Sequence, residues 1–479
     1  MNRRMVFRTI GRLLQITALL LLVPAGIAIY FGETVQLLAF TATALGSLLL
    51  GILITLVART KNRVIYAKDG FAITALAWIA MALVGAVPFV ISGDIPSYVD
   101  AVFETVSGFT TTGASILTNV ESLSKSALFW RSFTHWIGGM GVLVLVMAVL
   151  PTAPGRSMHM LRAEMPGPVI GKLVPKAKTT ARLLYVIYLA LTILMMVMLL
   201  FGGMDLFESA VHALGTAGTG GFGIKADSIA SYSPYCQWVI TVFMLMFGIN
   251  FNLYYFILIK KFSAALKSEE LWVYGAIVLS AVTLIAFNIK DQYATSGETV
   301  RHSTFQVAAI ISTSGFTSTN FSAWPAFSKG ILFMLMFLGG CAGSTAGGLK
   351  LSRFMLLCKT AHNKILKVVH PRNVKAVKLE GKTVDEETVS GVSTYFFLYC
   401  LCQVVVFLLI SLDGLGFDAS VTAAVSTFNN VGPAYGAAYD GYSVFSDFSK
   451  IIMSFAMLFG RLEIYPMLIL FMPSVWRKK

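Results

Sequence analysis

Thr110-Thr111-Thr112-Gly113 lies between two long apolar segments, and the chain returns to the same arrangement three more times: at Gly218-Thr219-Gly220-Gly221, Ser312-Thr313-Ser314-Gly315 and Asn429-Asn430-Val431-Gly432. One polar, glycine-containing loop between hydrophobic runs is an ordinary turn. Four in register imply more. Irregular backbone is tolerated inside a bilayer only where it lines a cavity or is buried in protein, and four loops set round one axis meet that condition. Gly113, Gly221, Gly315 and Gly432 are the equivalent glycines, and glycine permits backbone angles that other residues resist. Thr110, Thr111, Thr112, Gly218, Thr219, Gly220, Ser312, Thr313, Ser314, Asn429, Asn430 and Val431 would then form the lining. Rings of such carbonyl oxygens are what a dehydrated monovalent cation requires.

Composition sets the same frame. Of 479 residues, 56% are hydrophobic and 13% charged, where a soluble chain would be about a quarter charged. Apolar runs at roughly 13–31, 36–58, 70–92, 127–150, 183–202, 236–259, 271–289, 328–357, 391–411 and 450–471 are of the length that crosses a bilayer as a helix. The net charge of +14 could suggest a nucleic acid, but its distribution argues against one. Most Lys and Arg residues fall in alternate connections: Arg3 to Arg12, Arg59 to Lys68, Arg156 to Arg182, Lys260 to Lys267, Lys350 to Lys382, and Arg477 to Lys479. By the positive-inside rule both termini are expected in the cytoplasm. The first apolar run lacks the features of a cleaved signal. Asp94, Asp100, Glu121, Asp227, Asp291, Asp440 and Asp447 fall on the outer side. They either concentrate cations at the mouth or merely escape the basic bias. Only Cys236 of five cysteines lies near the outer face, so no disulfide is expected.

The fold expected is an all-α membrane protein: four pseudo-symmetric helix–pore-loop–helix repeats around a central ion pathway, plus two N-terminal transmembrane helices. The units run 1–68 for the N-terminal pair, then 69–152, 153–262, 263–360 and 361–479. Each repeat holds two full crossings, so all four share one orientation and their axis lies along the membrane normal, unlike inverted repeats. The segments 100–109, 205–217, 302–312 and 418–428 are too short to cross and lead into the four loops. Asp100, Asp205 and Asp418 near their starts are expected as helix caps. Their C-terminal dipole ends would favour a cation at mid-membrane.

Two features break the symmetry. Gly339-Gly340-Cys341-Ala342-Gly343-Ser344-Thr345-Ala346-Gly347-Gly348 interrupts the eighth apolar run with five glycines, each costing up to about 1 kcal/mol in a helix. It reads as an intramembrane loop below the filter, a movable gate, although Gly339 and Gly343 also fit a G-x-x-x-G packing stripe. Arg461 stands inside the last run. An arginine at that depth usually faces a cavity, where it would oppose cations; the other reading is a buried partner, Glu463 or a carbonyl. Gly218 to Gly223 fits G-x-G-x-x-G, but no strand precedes it and no βαβ unit follows, so a dinucleotide site is excluded. His135, His212 and His302 lie in separate repeats, which argues against an enzyme with clustered catalytic groups.

With these residues in view the chain resembles the bacterial Trk/Ktr and plant HKT superfamily of potassium and sodium transport proteins. The TrkH branch is indicated by His370-Pro371-Arg372-Asn373-Val374-Lys375-Ala376-Val377-Lys378-Leu379, by Phe459-Gly460-Arg461-Leu462-Glu463 and by Gly347-Gly348-Leu349-Lys350. The resemblance covers the whole chain. It implies potassium as the transported ion, no covalent cofactor, a homodimer in the bacterial inner membrane, and a cytosolic TrkA-like nucleotide-binding ring that carries any nucleotide dependence. It implies that Gly113, Gly221, Gly315 and Gly432 form the filter, a serine in the first loop being associated with sodium preference. It also implies that loop 339–348, continuing to Lys350, and Arg461 form the gate. The basic segment 359–382 is either a docking surface or a retainer of topology. Sodium- or proton-coupled symport and sodium-permeable HKT-like transport stay open as alternatives.

Overall fold

The computed structural model describes residues 1–60, 66–141, 177–371 and 376–476. Residues 142–150 of the run at 127–150 lie outside the described residues. So do Lys61, Arg63, Arg156, Arg162, Lys172, Lys176, residues 372–375 and the last three basic residues.

Two helices lead the chain. The first, α1 (Arg3–Phe31), is capped by the Asn2 side chain and stops at Gly32 in a left-handed turn; α2 (Thr34–Val57) runs back beside it. At about 1.5 Å per residue both exceed a bilayer core of roughly 30 Å. Small residues let them approach. A Cβ on Gly11 would lie 2.8 Å from the Gly51 carbonyl oxygen, and Ser47 donates to the Leu14 carbonyl at 2.8 Å.

One plan then recurs: outer helix, half-helix, loop, inner helix. The first unit is α3 (Ala67–Ser92), α4 (Tyr98–Phe109) and α5 (Lys125–Gly139). The second is α6 (Ala177–Phe201), α7 (Leu206–Gly218), α8 (Pro234–Phe247) and α9 (Phe251–Leu258). The third is α10 (Glu269–Ile289), α11 (Ser296–Ile311), α12 (Ala326–Leu338) and α13 (Leu351–Val369). The fourth is α14 (Glu386–Ile410), α15 (Phe417–Asn429), α16 (Asp447–Arg461) and α17 (Tyr465–Phe471). One apolar cluster joins the N-terminal pair to the first, second and fourth units through Phe40, Trp130, Tyr188 and Phe428; a second surrounds the third unit through Ile310, Phe321 and Leu332.

The half-helices correct several expectations. The third begins at Ser296, not near 302, because Thr295 caps it by accepting from the Glu298 amide at 3.2 Å. Asp205 does cap α7, accepting from the Glu208 amide at 2.6 Å. Asp100 does not cap α4: Ser97 does, and the Asp100 carboxylate accepts from Lys450 Nζ at 2.6 Å. At α15 the cap position is Gly416, and Asp418 sits in the first turn.

The inner helices also differ from continuous crossings. The run at 236–259 bends by 93° between α8 and α9; Gly248 ends the first piece, and Asn250 caps the second by accepting from the Asn252 amide at 2.9 Å. The run at 450–471 breaks after Arg461, where Glu463 (φ 59) and Ile464 (φ 66) leave helical geometry and Pro466 opens α17. The third inner helix is interrupted between α12 and α13, as its glycines suggest.

Candidate functional site

Each half-helix ends in the same closure. After α4, the Thr111 amide donates to Gly108 (3.1 Å) and the Thr112 amide to Ser107 (2.9 Å); after α7, Thr219 donates to Thr216 and Gly220 to Gly215 (both 2.9 Å). After α11, Thr313 donates to Ile310 (3.0 Å) and Ser314 to Ala309 (2.8 Å); after α15, Asn430 donates to Thr427 (3.4 Å) and Val431 to Ser426 (2.9 Å). This pairing satisfies the last helical carbonyls and places one residue in the left-handed region. That residue is Thr111 (φ 57), Thr219 (φ 57), Thr313 (φ 55) or Asn430 (φ 56). Two residues on, φ is positive again at Gly113 (77), Gly221 (78), Gly315 (73) and Gly432 (100). Threonine is β-branched, and its appearance in this region three times is a true outlier. Such strain persists only where the surroundings impose it.

The glycines bring the loops into one closed ring. A Cβ on Gly113 would overlap the carbonyl oxygen of Gly220 in the second loop. One on Gly221 would overlap that of Ser314 in the third. One on Gly315 would overlap that of Val431 and come within 2.8 Å of Pro433 in the fourth. One on Gly432 would lie 2.6 Å from that of Thr112, back in the first. The order is therefore one to two to three to four to one.

The hydroxyls of this ring are largely used within it. Thr110 Oγ1 donates to Val106 at 2.7 Å and meets Thr112 Oγ1 at 2.8 Å; Ser312 Oγ donates to Ala308 at 2.6 Å and meets Ser314 Oγ at 2.9 Å. In the fourth loop the Asn430 amide reaches both Thr112 Oγ1 and the Met457 carbonyl at 2.9 Å, and Asn429 Nδ2 holds Val425 at 2.9 Å. Thr111 Oγ1 and Asn430 Oδ1 have no hydrogen-bond partner among the described residues; the donors common to all four loops are main-chain carbonyls, next to four helix C-termini whose partial negative charge favours a cation. Among the described residues no three or more His, Cys, Asp or Glu side chains converge in a way that could hold a metal ion.

Residues 339–350 pack directly on this ring. The Gly347 amide donates to Thr313 Oγ1 at 2.7 Å, and a Cβ on Gly347 would stand 2.5 Å from the Asn429 carbonyl oxygen. Gly339 folds against Gly347 and Gly348, and Gly340 against Gly248 and Ala346. Gly343 abuts Asn250, and its carbonyl accepts from the Phe251 amide at 3.0 Å. Thr345 Oγ1 donates to Phe247 at 3.1 Å, and Ser344 Oγ to Cys341 at 2.6 Å. The break in the second inner helix thus cradles the interruption in the third.

Two cations hold adjacent carbonyls of that loop. Arg461 donates to Thr345 at 2.8 Å and, from its other terminal nitrogen, to Gly138 at 2.6 Å and Gly139 at 2.8 Å. Lys350, buried and at φ 71, donates to Ala346. Arg461 does not pair with Glu463, which instead binds Arg353 through both carboxylate oxygens. Several contributors escape a reading of the sequence. Gly138 and Gly460 admit the carbonyls of Phe109 and Phe428 where any Cβ would overlap them; Gly460 is isolated, and Gly138 lies in the short run Gly138-Gly139-Met140-Gly141 inside an apolar segment. Glu104 and Arg131 form a buried pair at 2.8 Å; charged residues inside apolar segments were the available signal.

Comparison with known proteins agrees with this architecture. Residues 38–478 match the TrkH family model, described as a cation transport protein. The chain is 33% identical over 485 residues to the Trk system potassium uptake protein TrkH of Escherichia coli (strain K12), with 100% of each covered. It is 33% identical over 482 residues to the TrkG protein of the same strain, with 99% of each covered. Its fold matches the crystal structure of the potassium transporter TrkH from Vibrio parahaemolyticus with a TM-score of 0.89 at 31% identity, covering 100% of both chains.

Proposed function

This chain belongs to the TrkH family of cation transport proteins, and from that premise we propose that it takes up potassium through the ring formed by its four loops. The observation that carries the reading is the cyclic closure at Gly113, Gly221, Gly315 and Gly432, each against a carbonyl of the next loop. Carbonyl rings of this kind replace the hydration shell of a monovalent cation. The relatives of similar length are named as potassium uptake proteins, which selects potassium among such ions.

Residues 339–350 and Arg461 act as the gate. The guanidinium spans the loop carbonyl of Thr345 and the end of α5, so a fixed positive charge sits beside the ring. Opening requires Arg461 and the loop to part. The units 1–68, 69–152, 153–262, 263–360 and 361–479 are the pair and four repeats of this pathway, with both termini in the cytoplasm of a bacterial inner membrane. A homodimer and a cytosolic nucleotide-binding ring of the TrkA type complete the assembly, the ring meeting the basic segment 359–382.

Rubidium uptake into proteoliposomes of the purified chain, with and without a sodium gradient, tests the reading. Uptake that saturates, competes with potassium and ignores the sodium gradient is expected. Gradient-dependent uptake would indicate coupled symport, and absence of uptake would remove the transport reading.

A further inference from the structure

The sequence register of the half-helices singles out one position. Seven residues before the left-handed residue stand Glu104, His212, Gln306 and Ala423, all buried. The four places are equivalent, yet only Glu104 is a carboxylate, and through Arg131 it is linked by hydrogen bonds to the second loop as well as to its own. Glu104 accepts from Ser115 Oγ at 2.9 Å and from the Ile116 amide at 3.0 Å, both on the limb of the first loop beyond Gly113. It also accepts from Arg131 Nε at 2.8 Å. Arg131 reaches on to Ser115 Oγ at 3.3 Å and to the Gly223 carbonyl at 3.3 Å, and its guanidinium lies 4.0 Å over the Phe222 ring. Gly223 and Phe222 belong to the limb of the second loop beyond Gly221. Ser115 in turn offers its carbonyl to the Tyr442 amide of the fourth unit at 2.8 Å. By contrast, the Gln306 side chain at the same register has no hydrogen-bond partner among the described residues.

We propose that the Glu104–Arg131 pair is a positioning device for ion selectivity, a clamp that fixes the limbs of the first and second loops relative to each other just beyond the ring. It rests on the reading of the four loops as the filter. The chemistry suits the task. A buried guanidinium has five donors in a rigid fork, so it can hold a carboxylate, a hydroxyl and a carbonyl at once. Lysine, a point charge, cannot hold that geometry. Because the ring closes through backbone contact between Gly113 and Gly220, freeing either limb changes carbonyl spacing rather than merely weakening the fold.

The test uses the full-length purified protein in proteoliposomes, with rubidium and sodium fluxes measured on wild type, Arg131→Lys, Glu104→Gln and Ser115→Ala. Each variant is compared per amount of monodisperse protein. The clamp predicts that Arg131→Lys and Glu104→Gln lower the rubidium-to-sodium flux ratio about tenfold, a loss of about 1.4 kcal/mol in discrimination. It predicts that the half-saturating rubidium concentration rises in the same variants. A purely structural role would lower yield or maximal flux and leave ratio and half-saturation unmoved; that result overturns the proposal. If both charge variants fail to purify, Ser115→Ala decides alone: a lowered ratio supports the clamp and an unchanged ratio removes it. Wild type separates the two levels. A wild type that does not discriminate rubidium from sodium refutes the filter itself, whereas a selective wild type with equally selective variants refutes only the clamp.

Discussion

Thr313 shows how much one side chain can be asked to do. Its backbone is left-handed at φ 55, its amide closes the Ile310 end of α11, and its hydroxyl takes the Gly347 amide at 2.7 Å. It is thus a direct hydrogen-bonded contact between ring and interrupting loop. Thr313→Val keeps the shape and removes the acceptor, leaving a buried N–H unpaired at a cost of about 1–3 kcal/mol. The expected outcome is a loop that releases more readily, read as higher basal rubidium flux in proteoliposomes with the selectivity ratio retained. Unchanged flux would show that the contact does not restrain the loop. The three left-handed threonines were not legible in the sequence, since threonine does not advertise positive φ; Asn430, a residue type that tolerates this region, was the one cue. The glycines two residues later were, because a positive φ beside a neighbouring carbonyl admits only glycine.

At the scale of elements, the half-helices and the interrupted third inner helix were legible because their signals are local. A run of twelve to sixteen residues ending in a polar glycine turn cannot cross a bilayer, and five glycines in ten residues do not make a helix. The breaks at 248–250 and 462–464 were hidden. Both lie inside runs whose flanks are apolar, so hydropathy reads one helix despite Gly248, Asn250 and Pro466, while the bend is held by tertiary partners: the Phe251 amide on the Gly343 carbonyl, and Glu463 on Arg353. Ile464 at φ 66 has a β-branched side chain in a region it avoids, a conformation that no propensity would suggest. These breaks let Arg461 end α16 and reach Thr345, Gly138 and Gly139 together. Arg461→Ala removes a charge that, acting over about 8 Å at an effective dielectric of about 20, opposes a cation by roughly 2 kcal/mol. Basal flux should rise by at least tenfold, measured as initial rubidium uptake per folded protein. Equal or lower flux would take Arg461 out of the gate. The same loop is tied to the basic segment after α13: Glu270 accepts from the Ala342 amide at 2.8 Å, and Glu380, in the hairpin of Lys378–Leu379 with Lys382–Thr383, accepts from the Glu270 amide at 3.0 Å.

For the whole molecule, fourfold pseudo-symmetry explains both what repeats and what does not. A cation on an axis needs equivalent oxygens, so the backbone of the four loops is the same to within a few tens of degrees of φ. The supporting side chains are free to differ, and they do: hydroxyl pairs brace the first and third loops, while asparagines serve the fourth. Symmetry of backbone with asymmetry of support is what a single chain can achieve and four identical subunits cannot. The placement of basic residues predicts that tags at either terminus of the chain are protected in intact, right-side-out cells and reached by a protease only after permeabilisation. Digestion of either tag in intact cells would reverse the topology.

The central claim is that four glycine turns from one chain meet as a selectivity filter. Its most direct test is the potassium-to-sodium permeability ratio of purified wild type, Gly113→Ser, Gly221→Ala, Gly315→Ala and Gly432→Ala in proteoliposomes. A wild type that favours potassium, with the ratio reduced in every one of the four variants, is the expected result. A wild type that does not discriminate, or folded variants at all four glycines that keep the wild-type ratio, would contradict it.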